Sequence, residues 1–452
     1  MLNTLDAAAE RATRQHGADD RVIRGRVRPD IASTAGTVAL AFVGSVVPVD
    51  PQWTRHSFNA AAQMFQRELL LGLEREGLPA SLIVSALPVP SRRHSSIPEL
   101  GEIPLYVRGH DSMLDERLPL RLVPFINVTP LKQLTIGVAT AYELLRWGWR
   151  NRAARCRVVY AYNLSVPPGA FVLLAARLIR AKTVVSLCDI ETPGETVPGG
   201  AYWKLDDWLQ RRLIPHFDGH TVASQAIADD FLCGRDSIRL EGGVSPELLG
   251  KTENLVPALS TRRDPRTFVI VAAGQLSELN GIPLLLDAFS QLRGDRFRLR
   301  IAGAGALEPE VRTAAARDPR IEFLGRLPLD RVLETYAAAD VLVNLRITRS
   351  LNTRYFFPSK MIEYLVSGVP VISTCTGHVE EEFGAFTFLL RDERPEALAQ
   401  LIERISALDP ADRCAQAARA RTYMAANKTW QAQTEKLAAF IRTKVLHLDK
   451  PL

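Results

Sequence analysis

The feature that most constrains this chain is an alternation of short apolar runs with amphipathic helical segments, and it occurs twice. In the first half, runs at 38–43, 81–84, 122–126, 157–161, 183–187 and 220–223 read as buried strands. Helical segments at 57–76, 131–149, 169–179 and 201–213 lie between them. The first of these spaces Phe58, Ala61, Phe65, Leu69 and Leu73 along one face. The second half repeats the style, with strands at 267–272, 297–301, 321–324, 341–344 and 369–373 and helices at 282–292, 308–317, 330–337 and 359–366. Helices at 395–408, 411–426 and 429–446 close the chain. Strands that alternate with helices form parallel sheets covered on both faces. The expected fold is therefore α/β, with two doubly wound Rossmann-like domains facing each other across a cleft. Ligands in such sheets sit beyond the carboxyl ends of the strands.

The expected organisation is a polar tail at 1–33, a first Rossmann-like domain at 34–250 and a linker at 251–266 containing Pro257 and Pro265. A second Rossmann-like domain at 267–428 follows, then a final helix at 429–452 packing back on the first domain. The net charge of +6 is spread over both halves and is too small to call for nucleic acid. Five cysteines (Cys156, Cys188, Cys233, Cys375, Cys414) without CxxC spacing indicate a reducing compartment. The charged N-terminus is unlike a signal peptide, and the most apolar stretch, 38–49, is shorter than the ~20 residues a bilayer requires. The expected location is the cytoplasm, with a peripheral position on the inner face of the plasma membrane as an option.

Three segments carry chemistry. Between a strand and a helix stands Gly274-Gln-Leu-Ser-Glu-Leu-Asn-Gly281. Such a turn presents backbone N–H groups to a phosphate, or is a plain connection. It is not a P-loop, because Ile282 stands where that motif has Lys. Gly303-Ala-Gly305 follows a strand, but Glu308 replaces the third small residue of a dinucleotide fingerprint, so it reads as a tight turn. The third segment is Pro358-Ser-Lys-Met-Ile-Glu363. Pro358 suits a helix start, and Lys360 in the first turn opposes the helix dipole, which suggests an anionic partner. Glu363, four residues after Ser359, shares that face and can accept two ribose hydroxyls. The alternative is a solvated amphipathic helix.

From about Phe268 to Ile372 the order of these features resembles the donor domain of retaining glycosyltransferase family 4. The match runs through Gly274, Gly281, the Ile-Ala-Gly-Ala-Gly305 run, Phe-Leu-Gly325, the Glu363 helix and Gly-Val-Pro-Val-Ile372. The first half is similar to bacterial surface-polysaccharide members through Phe125-Ile-Asn127, Leu131-Lys132 and the stretch from Tyr160 to Pro168. The resemblance implies a GT-B fold, a nucleotide-diphosphate sugar donor, retention of configuration, and neither a metal nor another cofactor. Departures are specific: Tyr355 stands where many members carry Glu, and Gln275 and Asn280 stand where many carry Arg and Lys. Lys360 is the best replacement for the missing cations, with Arg346, Arg349 and Arg354 as further candidates.

The expected donor site thus comprises Gly44, Gly274, Gln275, Asn280, Gly281, Arg346, Ser359, Lys360 and Glu363. Asp189 and Glu191, after the strand at 183–187, are candidate catalytic or sugar contacts together with Lys360; helix capping is the alternative for the two acids. Asn127 and Lys132 are acceptor-side candidates. His216 and His220 are four apart, but Pro215 and Gly219 interrupt a helix there, so they need not share a face, and no Asp-x-Asp occurs, so no metal set is read. Residues 144–157 combine Trp147, Trp149 and five arginines with no acid. That composition suits an anionic membrane and a lipid-linked saccharide acceptor, or else a helix with core tryptophans and solvated arginines. Two other functions remain open: a nucleotide-sugar epimerase on the same fold, and a non-catalytic relative of the glycosyltransferases.

Overall fold

A computed structural model describes residues 38–48, 60–89, 104–163, 166–188, 190, 200–253, 266–349 and 353–448. The first domain is built on strands β1 (Val38–Gly44), β2 (Ala80–Ser85), β4 (His110–Leu114), β5 (Leu118–Leu122), β7 (Cys156–Tyr162), β8 (Lys182–Leu187), β9 (Gly219–Val222) and β10 (Ser237–Arg239), with β3 (Tyr106–Val107) and β6 (Phe125–Ile126) forming a separate small ribbon. The large sheet runs β10-β9-β8-β7-β1-β2-β5-β4, and only β4 is antiparallel to its neighbour. β1 sends Leu40 and Phe42 into the core on one face and Ala39, Ala41 and Val43 into the core on the other. A strand buried on both faces reads as a continuous apolar run, which is why these strands are visible in the sequence.

The second domain holds β11 (Phe268–Gln275), β12 (Phe297–Ala304), β13 (Ile321–Gly325), β14 (Val341–Asn344), β15 (Val371–Thr374) and β16 (Phe388–Leu390). They pair in the order β13-β12-β11-β14-β15-β16, all parallel. The strand order reverses between β11 and β14, as it does between β1 and β7 in the first sheet. Such switch points open a crevice beyond the strand ends.

The hairpin β4–β5 is absent from the sequence reading, which placed a single strand at 122–126. Its turn holds Asp115 and Glu116 at φ of 50° and 59°, a conformation that Asp adopts more readily than most residues. The chain crosses between domains earlier than expected. Val244 is buried with Val271 and Leu365 of the second domain, and Leu248 and Leu249 pack against that cluster. The helix Pro246–Glu253 therefore belongs with the second domain, although the sequence reading placed 246–250 in the first. The chain returns through Lys428, and the helix Trp430–Phe440 buries Trp430, Leu437 and Ala438 among first-domain residues. The two crossings are joined by hydrogen bonds from Val244 N to Lys428 O at 2.7 Å and from Trp430 N to Val244 O at 3.1 Å.

Candidate functional site

A cavity of about 650 Å³ opens between the two sheets. The second domain contributes Gly274, Gln275, Asn280, Arg346, Ser359 and Lys360, and the first contributes Phe65, Tyr162, Cys188 and Glu241. The floor is set by backbone contact. β11 and β12 end side by side, and a Cβ on Gly303 would lie 1.8 Å from Gly274 O, so only glycine fits there. Gly274 has φ +145°, and a Cβ on it would meet only the Lys360 side chain at 3.8 Å. The lysine stem thus lies over the bare end of β11.

Lys360 is held there by its own helix. The helix Lys360–Val366 is tied to the end of β11 by Tyr364, whose hydroxyl accepts from Ala273 N at 2.9 Å and donates to Ala273 O at 3.1 Å. Burial pushes the Tyr364 hydroxyl pKa up, so it remains a donor. Lys360 Nζ lies 2.8 Å from Glu363 Oε2. This modifies the expectation from the dipole: the ammonium already has a counter-ion one turn along, and Glu363 serves it in the absence of a ribose. Ser359 borders the cavity and makes no side-chain capping bond to the helix.

Asn280 takes the place of a cation but recruits one. Its amide donates to Gln275 O at 2.8 Å, and its Oδ1 accepts from Arg346 Nη1 at 3.0 Å. Arg346 also lies over the Phe356 ring at 5.3 Å. The positive charge absent at 275 and 280 is thereby supplied from the end of β14. Gly281 starts the helix Ile282–Gln291 in the left-handed region, at φ 64°. Arg349 and Arg354 turn elsewhere: Arg349 bonds Glu393 O, and Arg354 lies 3.4 Å from Asp230 of the first domain.

Several expected residues are not at the cavity. Gly44 packs against the helix Ala60–Arg75, where a Cβ would lie 2.2 Å from Gln66 Oε1. Asn127 is fully buried and donates to Pro104 O at 3.3 Å. Lys132 donates to Val89 O, lies 5.4 Å from the Phe125 ring centre, and has its pKa lowered by burial. Both therefore brace loops of the first domain. Asp189 and Glu191 lie outside the described residues, though the adjoining Cys188 borders the cavity. Tyr355 turns away from the donor floor: its hydroxyl donates to Asp230 Oδ2 at 2.7 Å, and its ring meets Phe231 edge-on at 5.3 Å.

Sequence reasoning missed a buried ionic cluster where the chain crosses between domains. Lys428 Nζ lies 2.5 Å from Glu241 Oε2 and 2.6 Å from Glu382 Oε1. His378 Nε2 is 2.7 Å from Glu241 Oε1, and Arg239 reaches both carboxylates at 2.6 and 2.5 Å. Burial alone would raise the pKa of Glu241; the close approach of the His378 ring and the charge of Lys428 outweigh it and bring it to about 2. Glu241, His378 and Glu382 converge closely enough to hold a metal ion, but the Lys428 ammonium already bridges the two carboxylates. The His378 ring stacks on Phe357 at 5.3 Å, two residues before Ser359, and so links the cluster to the cavity. No spacing motif announces a group whose members lie 187 residues apart.

Two doubly wound domains with a polar cleft define the GT-B glycosyltransferase fold, and residues 267–407 match the family described as Glycosyl transferases group 1. The match lies within the second domain and covers less than half of the chain. It is 28% identical over 181 residues to a Salmonella typhimurium protein named for colanic acid biosynthesis, the glycosyltransferase WcaL, covering 38% of this chain and 45% of that one. It is also 28% identical over 193 residues to the GDP-mannose-dependent monoacylated alpha-(1-6)-phosphatidylinositol monomannoside mannosyltransferase of Corynebacterium glutamicum, covering 39% and 48%. The chain thus matches about half the length of these curated relatives. Among solved structures, HepE of Anabaena in complex with UDP superposes with a TM-score of 0.60 at 16% identity, covering 89% of this chain and 99% of that one. This likeness shows the fold.

Proposed function

We propose that the protein transfers a sugar from a nucleotide-diphosphate sugar to a hydroxyl of a saccharide acceptor in cell-surface polysaccharide synthesis, with retention of configuration and without a metal. One observation carries the reading: Lys360 and Arg346 border the same cavity wall as the bare backbone of Gly274. A diphosphate seated there gains charge as the glycosidic bond breaks, and fixed cations stabilise that charge more in the transition state than before it. Glu363 then exchanges part of its contact with Lys360 for the ribose hydroxyls. The similar proteins named above, one GDP-mannose-dependent and one bound to UDP, make guanosine and uridine diphosphate sugars the donors to test. The acceptor is a lipid-linked saccharide that meets the protein at a membrane surface; among the described residues no helix is long and apolar enough to cross a membrane.

A second reading, donor binding without turnover, is favoured by Tyr355, which occupies the place of a common family carboxylate and is committed to Asp230. The test is to incubate the protein with nucleotide sugars in EDTA and follow nucleoside diphosphate release with and without saccharide acceptors. Acceptor-dependent release supports transfer. Conversion of donor alone to its epimer, binding without release, or full loss in EDTA restored by manganese would each overturn it.

A further inference from the structure

The helix Leu131–Arg150 is built inside out. Towards the protein it buries Gly137, Thr140, Glu143 and Gly148 alongside Leu144 and Trp147. A Cβ on Gly137 would come within 2.5 Å of Phe171, and one on Gly148 within 2.5 Å of Ile179, so its neighbour, the helix Val166–Leu178, sits hard against it. The buried acid Glu143 is matched by Arg121 at 3.2 Å and Arg146 at 3.1 Å. Leu131, Leu134, Val138, Tyr142, Leu145 and Trp149 all face outward, with Trp149 68% and Tyr142 58% exposed. Their spacing of three or four residues makes one continuous stripe along the helix. A surface helix of a soluble domain carries the opposite pattern. The neighbouring helix also exposes Leu174 and Leu178.

We propose that this face docks on an anionic lipid bilayer, lying in the headgroup plane. The charge around it selects that occupant. Residues 131–157 and 166–182 together contain a single acid, the buried Glu143, and expose Arg150, Arg152, Arg155, Arg177 and Arg180. Arg152 stacks on Trp149 at 4.9 Å, which joins the cationic and apolar parts of the surface. A two-fold dimer through this face would set the same basic rim against itself, whereas anionic headgroups neutralise it while the apolar stripe enters the acyl boundary. The proposal deepens the membrane-side reading of the acceptor but rests on the geometry of this face. Its failure and that of sugar transfer are separable, because vesicle binding is read without any donor.

The experiment is co-sedimentation of the full chain with vesicles of phosphatidylcholine alone or mixed with phosphatidylglycerol. The wild type should bind only the mixed vesicles, and less as salt rises. The triple variant Val138→Ser, Tyr142→Ser, Trp149→Ser should lose binding about tenfold or more. Hydrogen exchange on the wild type, which requires no variant, should show vesicle-dependent protection confined to 131–157 and 166–182. Binding unchanged by the triple substitution, protection elsewhere only, or a solution dimer that the triple variant dissolves would overturn the proposal, the last by giving the face to a second copy.

Discussion

The two domains share a sheet topology and divide the work differently. In the second, the strand ends carry polar and backbone groups: the bare turn of Gly274, the Asn280–Arg346 pair and the Lys360 helix. Its outer surface is quiet. Of the eighteen large apolar side chains exposed among the described residues, only Leu279, Leu329 and Leu408 belong to it. The first domain holds the other fifteen, six of them on one helix. Under the two proposals, the same doubly wound frame serves as a donor-binding surface in one copy and as an outward-facing contact surface in the other. What distinguishes them is which helix faces and strand ends carry the chemistry, because the frame itself does not specify function.

This comparison requires the domains to be held in register, and that is where the largest effect is expected. Lys428→Met should leave Glu241 and Glu382 buried beside each other without their shared ammonium. Removing one partner of a buried ion cluster costs about 3–5 kcal/mol, to be read from denaturant unfolding. A loss below 1 kcal/mol would mean that the crossing does not hold the two halves together. The cluster also predicts an acid limit. The folded pKa of Glu241, about 2, lies below its ordinary value of 4.5. Its stabilisation is present in full above pH 4.5 and is lost as pH falls from there towards 2. Unfolding curves collected across that window should show the decline in the wild type and a shallower one in Glu241→Gln.

The next effect sharpens the assignment of chemistry to the second domain. Lys360→Ala should lower kcat on the order of 10²-fold, the size typical of losing one group that stabilises developing charge, with a smaller change in donor affinity. Glu363→Gln should chiefly weaken donor binding, because a ribose contact is present before and during bond breaking. Equal kcat in Lys360→Ala and wild type, at unchanged melting temperature, would move the leaving-group site away from this helix.

The smallest effect concerns the second bridge between the domains. Tyr355→Phe removes the hydroxyl bonded to Asp230 but keeps the ring against Phe231. The stability loss should be about 1.5 kcal/mol, the low end for a hydrogen bond to a charged group, because the Asp230 carboxylate is partly exposed, with turnover retained. Loss of turnover at that small cost in stability would instead give the hydroxyl a part in the chemistry.

Much of the frame was legible because parallel strands covered on both faces are written as unbroken apolar runs, as at Val38–Gly44 and Phe268–Gln275. Part of the cavity wall was legible for a related reason: Gly274 stands at a strand end and Lys360 at a helix start. The pairing of Lys360 with Glu363 was missed because the dipole argument considered the helix terminus and not the carboxylate one turn on. The use of Asn280 to hold Arg346 joins positions 66 residues apart, and no local pattern records that. The same holds for Glu241 with Lys428. The Arg/Trp stretch was read as a unit, but the helix divides it: Trp147 is buried with its indole N–H on Ser81 at 2.9 Å, and Trp149 points outward. Recognising the inverted stripe required knowing which face meets the Val166–Leu178 helix.

In the proposed function the second domain holds the diphosphate of the donor between Lys360, Arg346 and the turn of Gly274. The most direct measurement is calorimetric titration of GDP and UDP into the wild type and into Lys360→Ala/Arg346→Ala, in EDTA. The account predicts that at least one nucleotide binds the wild type without metal, and that the double variant loses on the order of 10²-fold in affinity, from two charge-assisted contacts of about 1.5 kcal/mol or more each. Equal affinity in the two proteins, or no binding of either nucleotide by the wild type, would contradict it.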